Sequence, residues 1–268
     1  MYQTIRNTGI IFLTVVLLTL PVTSAFSLNI GYYDTSREVW GFDGNDYMTG
    51  AKQWLVDAGH TLTNTAYVDS AFLDGVDAFF TGLIDSVDMA EVSAMQSFID
   101  TQGGFLFIQT DWAVGSWTNA ANDILSNWGI SVGGNYSNDS HVTVGTSDWV
   151  TSPNIVTTFT GSAHSVVTAA PDDFEVLGMD DLGRTVLGVF DAGAGRSSDV
   201  LISTDINFFA DDSGWTNSNN RNLWENIWTA AATQIDDDDV APVPEPSTWI
   251  LMGTGLVGLA IYRRRKQN

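Results

Sequence analysis

Apolar and polar positions follow two different periods along the middle of this chain. Residues 28–33, 78–81, 105–108 and 200–203 are short, nearly continuous apolar runs, the pattern of strands buried on both faces of a parallel sheet. Between them the apolar positions space out to the helical period. Tyr47, Ala51, Trp54, Leu55 and Ala58 fall on one face, and so do Trp117, Ala120, Ala121, Ile124, Leu125 and Trp128, with Gly129 next as a cap. The spacing predicts a third helix over 87–100, stopped before Gly103 and Gly104, and a fourth through Leu223, Ile227 and Ala231. Strand and helix in alternation predict an α/β domain with a doubly wound, mostly parallel sheet and helices on both faces. Residues 135–170 break the pattern: Thr, Ser, Val and Gly dominate without a helical period, and the stretch reads as a β-rich insertion of loops and short strands. Segments 174–179, 185–191 and 198–204 follow as consecutive strands, with Gly193, Ala194 and Gly195 turning between the last two. No Lys-Ser/Thr follows those glycines and no helix is expected there, so they lack the phosphate-cradling pattern.

The two ends obey other rules. Residues 1–25 carry one basic side chain, Arg6, then an apolar run over 10–20, a break at Pro21 and small residues at Thr23, Ser24 and Ala25. That is the grammar of a secretory signal peptide, too short in its apolar part to span a bilayer comfortably, with cleavage expected after Ala25. The extracytoplasmic domain is then 26–235. The tail has four parts in order: Asp236 to Asp239, the proline-rich Val240 to Thr248, an apolar segment over 249–262, and Arg263, Arg264, Arg265 and Lys266 within the final 263–268. Adjacent aspartates repel one another and alternating prolines stay extended, which makes 236–248 a linker. Trp249 and Tyr262 bracket the apolar segment as interfacial aromatics, and Gly253, Gly255 and Gly258 permit close helix packing. A single transmembrane helix over 249–262 follows, and the basic cluster orients the C-terminus toward the cytoplasm.

Charge narrows the function classes. Residues 26–246 hold all 32 Asp and Glu but only five basic side chains, Arg37, Lys52, Arg184, Arg196 and Arg221. Such a polyanion repels nucleic-acid phosphates, so nucleic acid is excluded as a partner, while solubility and divalent cations are favoured. With no cysteine, the exported domain has no disulfide, no thiolate nucleophile and no cysteine-built zinc or iron–sulfur site. Its ten Trp and fourteen Phe supply area for a single core.

Pro244, Glu245 and Pro246, the short glycine-rich apolar segment and the terminal Arg cluster together resemble the PEP-CTERM sorting signal, also known as the ice-binding protein C-terminal type, a label that does not imply ice binding. The resemblance covers about the last 25 residues. It implies a membrane-embedded exosortase as partner, removal of the helix at Pro244, Glu245 and Pro246, and delivery to the cell surface or an exopolysaccharide matrix of a Gram-negative bacterium. The central domain resembles non-catalytic, flavodoxin-like relatives of the class I glutamine amidotransferase-like fold. The residues that carry this are Gly103 to Ile108, Ile124 to Ile130, and Gly195-Arg196 leading through Val200 to Phe209 and on to Asn222, Leu223 and Trp224. Catalytic members of that fold place a cysteine at a strand-to-helix elbow. Here the corresponding turn is Gln109-Thr110-Asp111-Trp112, which removes amidotransferase chemistry.

Open α/β sheets bind ligands outside the carboxyl ends of their strands. Asp34, Asp111 and Asp205 follow predicted strands, with Asn207 close by. Oxygen ligands converging there would hold Ca²⁺ or Mg²⁺, although Asp is equally at home in turns and helix caps. Asp43-Gly44-Asn45-Asp46 lacks the spacing and terminal Glu of a calcium loop. His60, His141 and His164 have no metal-ligand spacing. Ser116, His164 and Asp205 form a triad only on paper, without Gly-x-Ser-x-Gly. Trp112 with Trp117, and Trp215 with Trp224 and Trp228, either stack on sugar rings or pack in the core. The reading that results is a non-enzymatic surface or matrix protein. Its rivals are a secreted hydrolase acting on polysaccharide and a calcium-dependent adhesion module.

Overall fold

The apolar runs become strands because both faces of the sheet are covered. In a computed structural model of the chain, residues 27–112, 115–136, 141–191 and 199–237 are described, within one compact unit spanning 26–239. In chain order the strands are β1 (Asn29–Tyr33), β2 (Glu38–Trp40), β3 (Thr61–Thr65), β4 (Ala78–Phe80), β5 (Leu83–Ile84), β6 (Phe105–Gln109) and β7 (Ser131–Tyr136). They continue with β8 (His141–Val144), β9 (Thr158–Thr160), β10 (His164–Ala169), β11 (Glu175–Met179), β12 (Thr185–Asp191) and β13 (Asp199–Ser203). The helices are α1 (Thr49–Asp57), α2 (Ser70–Leu73), α3 (Met89–Gln102), α4 (Gly115–Leu125), α5 (Asp148–Thr151) and α6 (Ser218–Asp237).

Nine strands form the main sheet in the order β3-β1-β4-β6-β13-β12-β11-β8-β9. The first five run parallel; β12, β11, β8 and β9 extend it antiparallel. The α/β class and the helices on both faces are therefore as expected, and the β-rich stretch supplies β8 and β9 at one edge of this sheet. Residue alternation divides two cores. Phe105, Phe107 and Leu201 meet Leu55 of α1 and Trp224 and Trp228 of α6 on one face. Leu106, Ile108 and Ile202 meet Met95 and Phe98 of α3 and Ile124 of α4 on the other. Two short ribbons, β10-β7 and β2-β5, flank the sheet.

Local chemistry fixes the ends of these elements. Asp88 caps α3 in a reciprocal capping box with Glu91, and Gly103 closes that helix in the left-handed region at φ 74°. Glu91 is buried and also pairs with Arg37 at 2.8 Å, tying the β1–β2 loop to α3. Asn220 and Asn226, both buried in α6, fasten the antiparallel extension. The Asn220 amide donates to Thr160 O and Phe208 O, and that of Asn226 to Val150 O and Asn154 O. Helix α6 runs through Asp237, two residues into the stretch read as linker. Among the described residues no helix is long and apolar enough to cross a membrane; the transmembrane segment expected over 249–262, the motif Pro244, Glu245 and Pro246 and the basic cluster lie outside them.

Candidate functional site

Loops after β1, β6 and β13 converge at the carboxyl edge of the parallel strands. Strand β6 ends at Gln109; the Thr110 N–H donates to Ser203 O of neighbouring β13, and the chain turns at Asp111 and Trp112 into α4. After β13, Asp205 caps a short 3₁₀ turn, Ile206–Phe208. Its carboxylate accepts from the Asn207 N–H at 2.8 Å and the Ser162 N–H at 2.5 Å. Gly161 permits that approach, since a Cβ there would sit 2.6 Å from Asp205 Oδ2. From the β1 side, Tyr47 donates through its hydroxyl to Asn207 Oδ1 at 2.6 Å, with its ring against Trp40, centroids 4.8 Å apart.

These groups enclose a cleft of about 200 Å³, with Trp40, Tyr47, Trp112 and Trp117 as its aromatic walls and Asp111 and Asn207 among its polar lining. Trp112 is 42% exposed, a large indole standing in solvent. The two carboxyls beneath are buried. Burial first, and then the charge of Asp205, push the Asp111 carboxyl well above the usual carboxylate range, against one lowering hydrogen bond from the Trp112 N–H. Burial also raises Asp205, opposed by the Ser162 and Asn207 amides and the Asn207 side chain. Asp205, with more donors, is the member of the pair that ionises first. Burial and the nearby Asp212 raise the Tyr47 hydroxyl, which stays protonated.

The candidate metal residues divide. Asp111, Asp205 and Asn207 lie together in this region, whereas the Asp34 carboxylate accepts from the Ser36 N–H and hydroxyl at 2.9 and 2.5 Å and serves a turn. Among the described residues no group of three or more His, Asp or Glu is disposed to hold a metal ion. The paper triad is not assembled, because Ser116 donates to Asp85 at 2.8 Å. His164 lies between Ser162 O at 2.9 Å and Asp180 at 3.2 Å. Trp224 and Trp228 are fully buried core residues. Trp40 and Tyr47 were not singled out for this site. Trp40 closes β2 and Tyr47 precedes α1, and the available signal was two aromatic residues within the stretch between β1 and α1.

Other polar groups are distinctive. The buried Glu38 accepts from the Asp43 and Gly44 N–H groups at 2.7 and 2.9 Å, while its Oε1 has no partner; burial pushes its carboxyl up to about 7. Asp180, buried beside Arg184, is held down at about 2 by hydrogen bonds that outweigh burial. A second cavity of about 270 Å³ lies at the opposite edge of the strands, lined by Trp149, Glu175, Asp191, Asp199 and Gln234. Burial, Asp191 and Glu175 raise Asp199 there to about 7.

Residues 242–266 match the PEP-CTERM protein-sorting motif. No curated protein matches the chain. Among solved structures, the mmIFT52 N-terminal domain superposes with TM-score 0.63 at 12% identity, covering 76% of this chain and 97% of that one. A protein described as ThuA-like from Bacteroides uniformis gives 0.52 at 12% identity, covering 80% and 94%. The exo-beta-1,4-mannosidase Op5Man5 from Opitutaceae bacterium strain TAV5 gives 0.50 at 14%, covering 76% of this chain and 36% of that one. At these identities the likeness is one of fold, and it agrees with the glutamine amidotransferase-like resemblance of the central domain.

Proposed function

We propose that the chain is an exported surface or extracellular-matrix protein, processed by an exosortase at Pro244, Glu245 and Pro246, whose α/β domain binds a ligand in its strand-end cleft without converting it. The sorting motif over 242–266 carries the first part. It implies a membrane-anchored precursor, oriented by Arg263, Arg264, Arg265 and Lys266, and then release to the surface or exopolysaccharide of a Gram-negative bacterium. The turn Gln109-Thr110-Asp111-Trp112 supports the second, because no activated nucleophile stands at the elbow. A hydrolase acting on polysaccharide is the second reading, favoured by the buried pair Asp111 and Asp205 with unequal proton affinities. The calcium-dependent adhesion reading retains only Asp111, Asp205 and Asn207 of its proposed ligands.

Intact mass of the exported protein tests the sorting. Loss of the segment after Pro246 is expected, and alanine at Pro244, Glu245 and Pro246 should retain it; a native product still carrying 249–268 counts against processing. Incubation with polysaccharides and simple esters should leave them intact, and reproducible turnover would establish the hydrolase.

A further inference from the structure

We propose that the strand-end cleft is a saccharide subsite that seats one neutral sugar ring, with the rest of a polysaccharide chain running across Trp112. The inference rests on the binding reading above and names its ligand class. At about 200 Å³ the cleft is smaller than the roughly 300–1,000 Å³ that takes a drug-sized molecule, so it suits one ring rather than several.

The walls and floor select the chemistry. Four aromatic side chains line so small a space, and Trp112 offers an exposed indole at 42%. Flat aromatic faces match the apolar C–H faces of a pyranose, and an amphipathic ring system in solvent is the ordinary platform for such a ligand. The floor carries hydroxyl, amide and carboxyl groups from Tyr47, Asn207 and Asp111. Sugar hydroxyls, each both donor and acceptor, can pair with all three.

Charged ligands fit less well. Among the described residues no Arg or Lys lines the cleft: Arg37, Lys52 and Arg184 are paired with Glu91, Asp43 and Asp180. A uronate or phosphate in the cleft would sit over the buried Asp205, the member of the pair that ionises first, with no cationic side chain in the lining to offset its charge. A cation would find the carboxylate of Asp205 already accepting from Ser162 on one oxygen and Asn207 on the other.

The test uses the full chain in a non-glycosidic detergent, followed by tryptophan fluorescence and calorimetry. Neutral gluco-, galacto- and manno-oligosaccharides, a uronic-acid oligosaccharide and choline are the probes, and the recovered sugar is assayed for new reducing ends. At least one neutral series should bind and change the fluorescence. Trp112→Ala, at an exposed position, should weaken that binding about tenfold or more without lowering the melting temperature. The uronic-acid series and choline should bind at least about tenfold more weakly. Absence of binding by every neutral series, tighter binding of uronate or choline, or an unaffected Trp112→Ala variant overturns the assignment. Binding with new reducing ends upholds the sugar class and overturns the non-catalytic reading. No binding and no turnover overturns the sugar class alone.

Discussion

Glu38 and Asp180 are both buried acids, yet their partners give them opposite pH behaviour. Asp180 faces Arg184 and His164, which hold its folded value near 2, below the unfolded value of about 3.9. The stability it contributes is present above the unfolded value and is lost as pH falls toward about 2. Arg184→Met should therefore unfold at higher pH in an acid titration followed by circular dichroism. Glu38 has two amide donors but no cation, and its folded value of about 7 lies above an unfolded value of about 4.3. Native protein holds the extra proton between those limits, so stability is lost as pH rises through that window. Asp199 acts in the same sense. Melting temperature should fall between about pH 5 and about pH 8, and Glu38→Gln should flatten the decline. An equal slope in wild type and variant would show that Glu38 does not hold that proton. Neither acid could be assigned from sequence: their hydrogen-bond partners Asp43, Gly44 and Arg184 are near in number, but the burial that sets each carboxyl's environment comes from the tertiary fold.

At the scale of elements, legibility followed burial. Strands β1, β4, β6 and β13 stand out as apolar runs because helices cover both faces, and Gly103 caps α3 while Gly129 caps the 3₁₀ turn Ser126–Trp128 that follows α4. By contrast, β3 reads Thr-Leu-Thr-Asn-Thr and is largely exposed at the sheet edge, so no run of apolar residues announces it. The antiparallel order β12-β11-β8-β9 is set by backbone pairings that end on two short strands, His-Val-Thr-Val and Thr-Phe-Thr, and by α6. Asparagine is a poor helix former, and Asn220 and Asn226 earn their positions through tertiary hydrogen bonds. Asn226→Ala would leave Val150 O and Asn154 O without that donor, costing about 1–3 kcal/mol for each buried group left unsatisfied. Chemical denaturation should register this as a lower midpoint; an unchanged midpoint would mean that water replaces the amide. The cleft was half legible. Asp111, Asp205 and Asn207 were placed by the strand-end rule, and Asp34 obeyed the same rule but is occupied by Ser36 two residues on.

Over the whole molecule, charge is the dominant global term. The five basic side chains of 26–246 face 32 acids, and Arg37, Lys52 and Arg184 are engaged in ion pairs. Self-repulsion on that scale should make folding salt-dependent. Raising ionic strength from about 0.01 to about 1 M shortens the screening length from about 30 to about 3 Å, and the melting temperature should rise. A fall would show that the surviving pairs outweigh the general repulsion.

Gln234 and Asp199 line one cavity, which sets the last turns of α6 beside the amino ends of the parallel strands, while Asp111 and Asp205 follow their carboxyl ends. The last described turns of α6 thus lie at the end of the parallel strands opposite the cleft. A polymer seated across Trp112, as proposed above, would reach the cleft without passing the last described turns of α6.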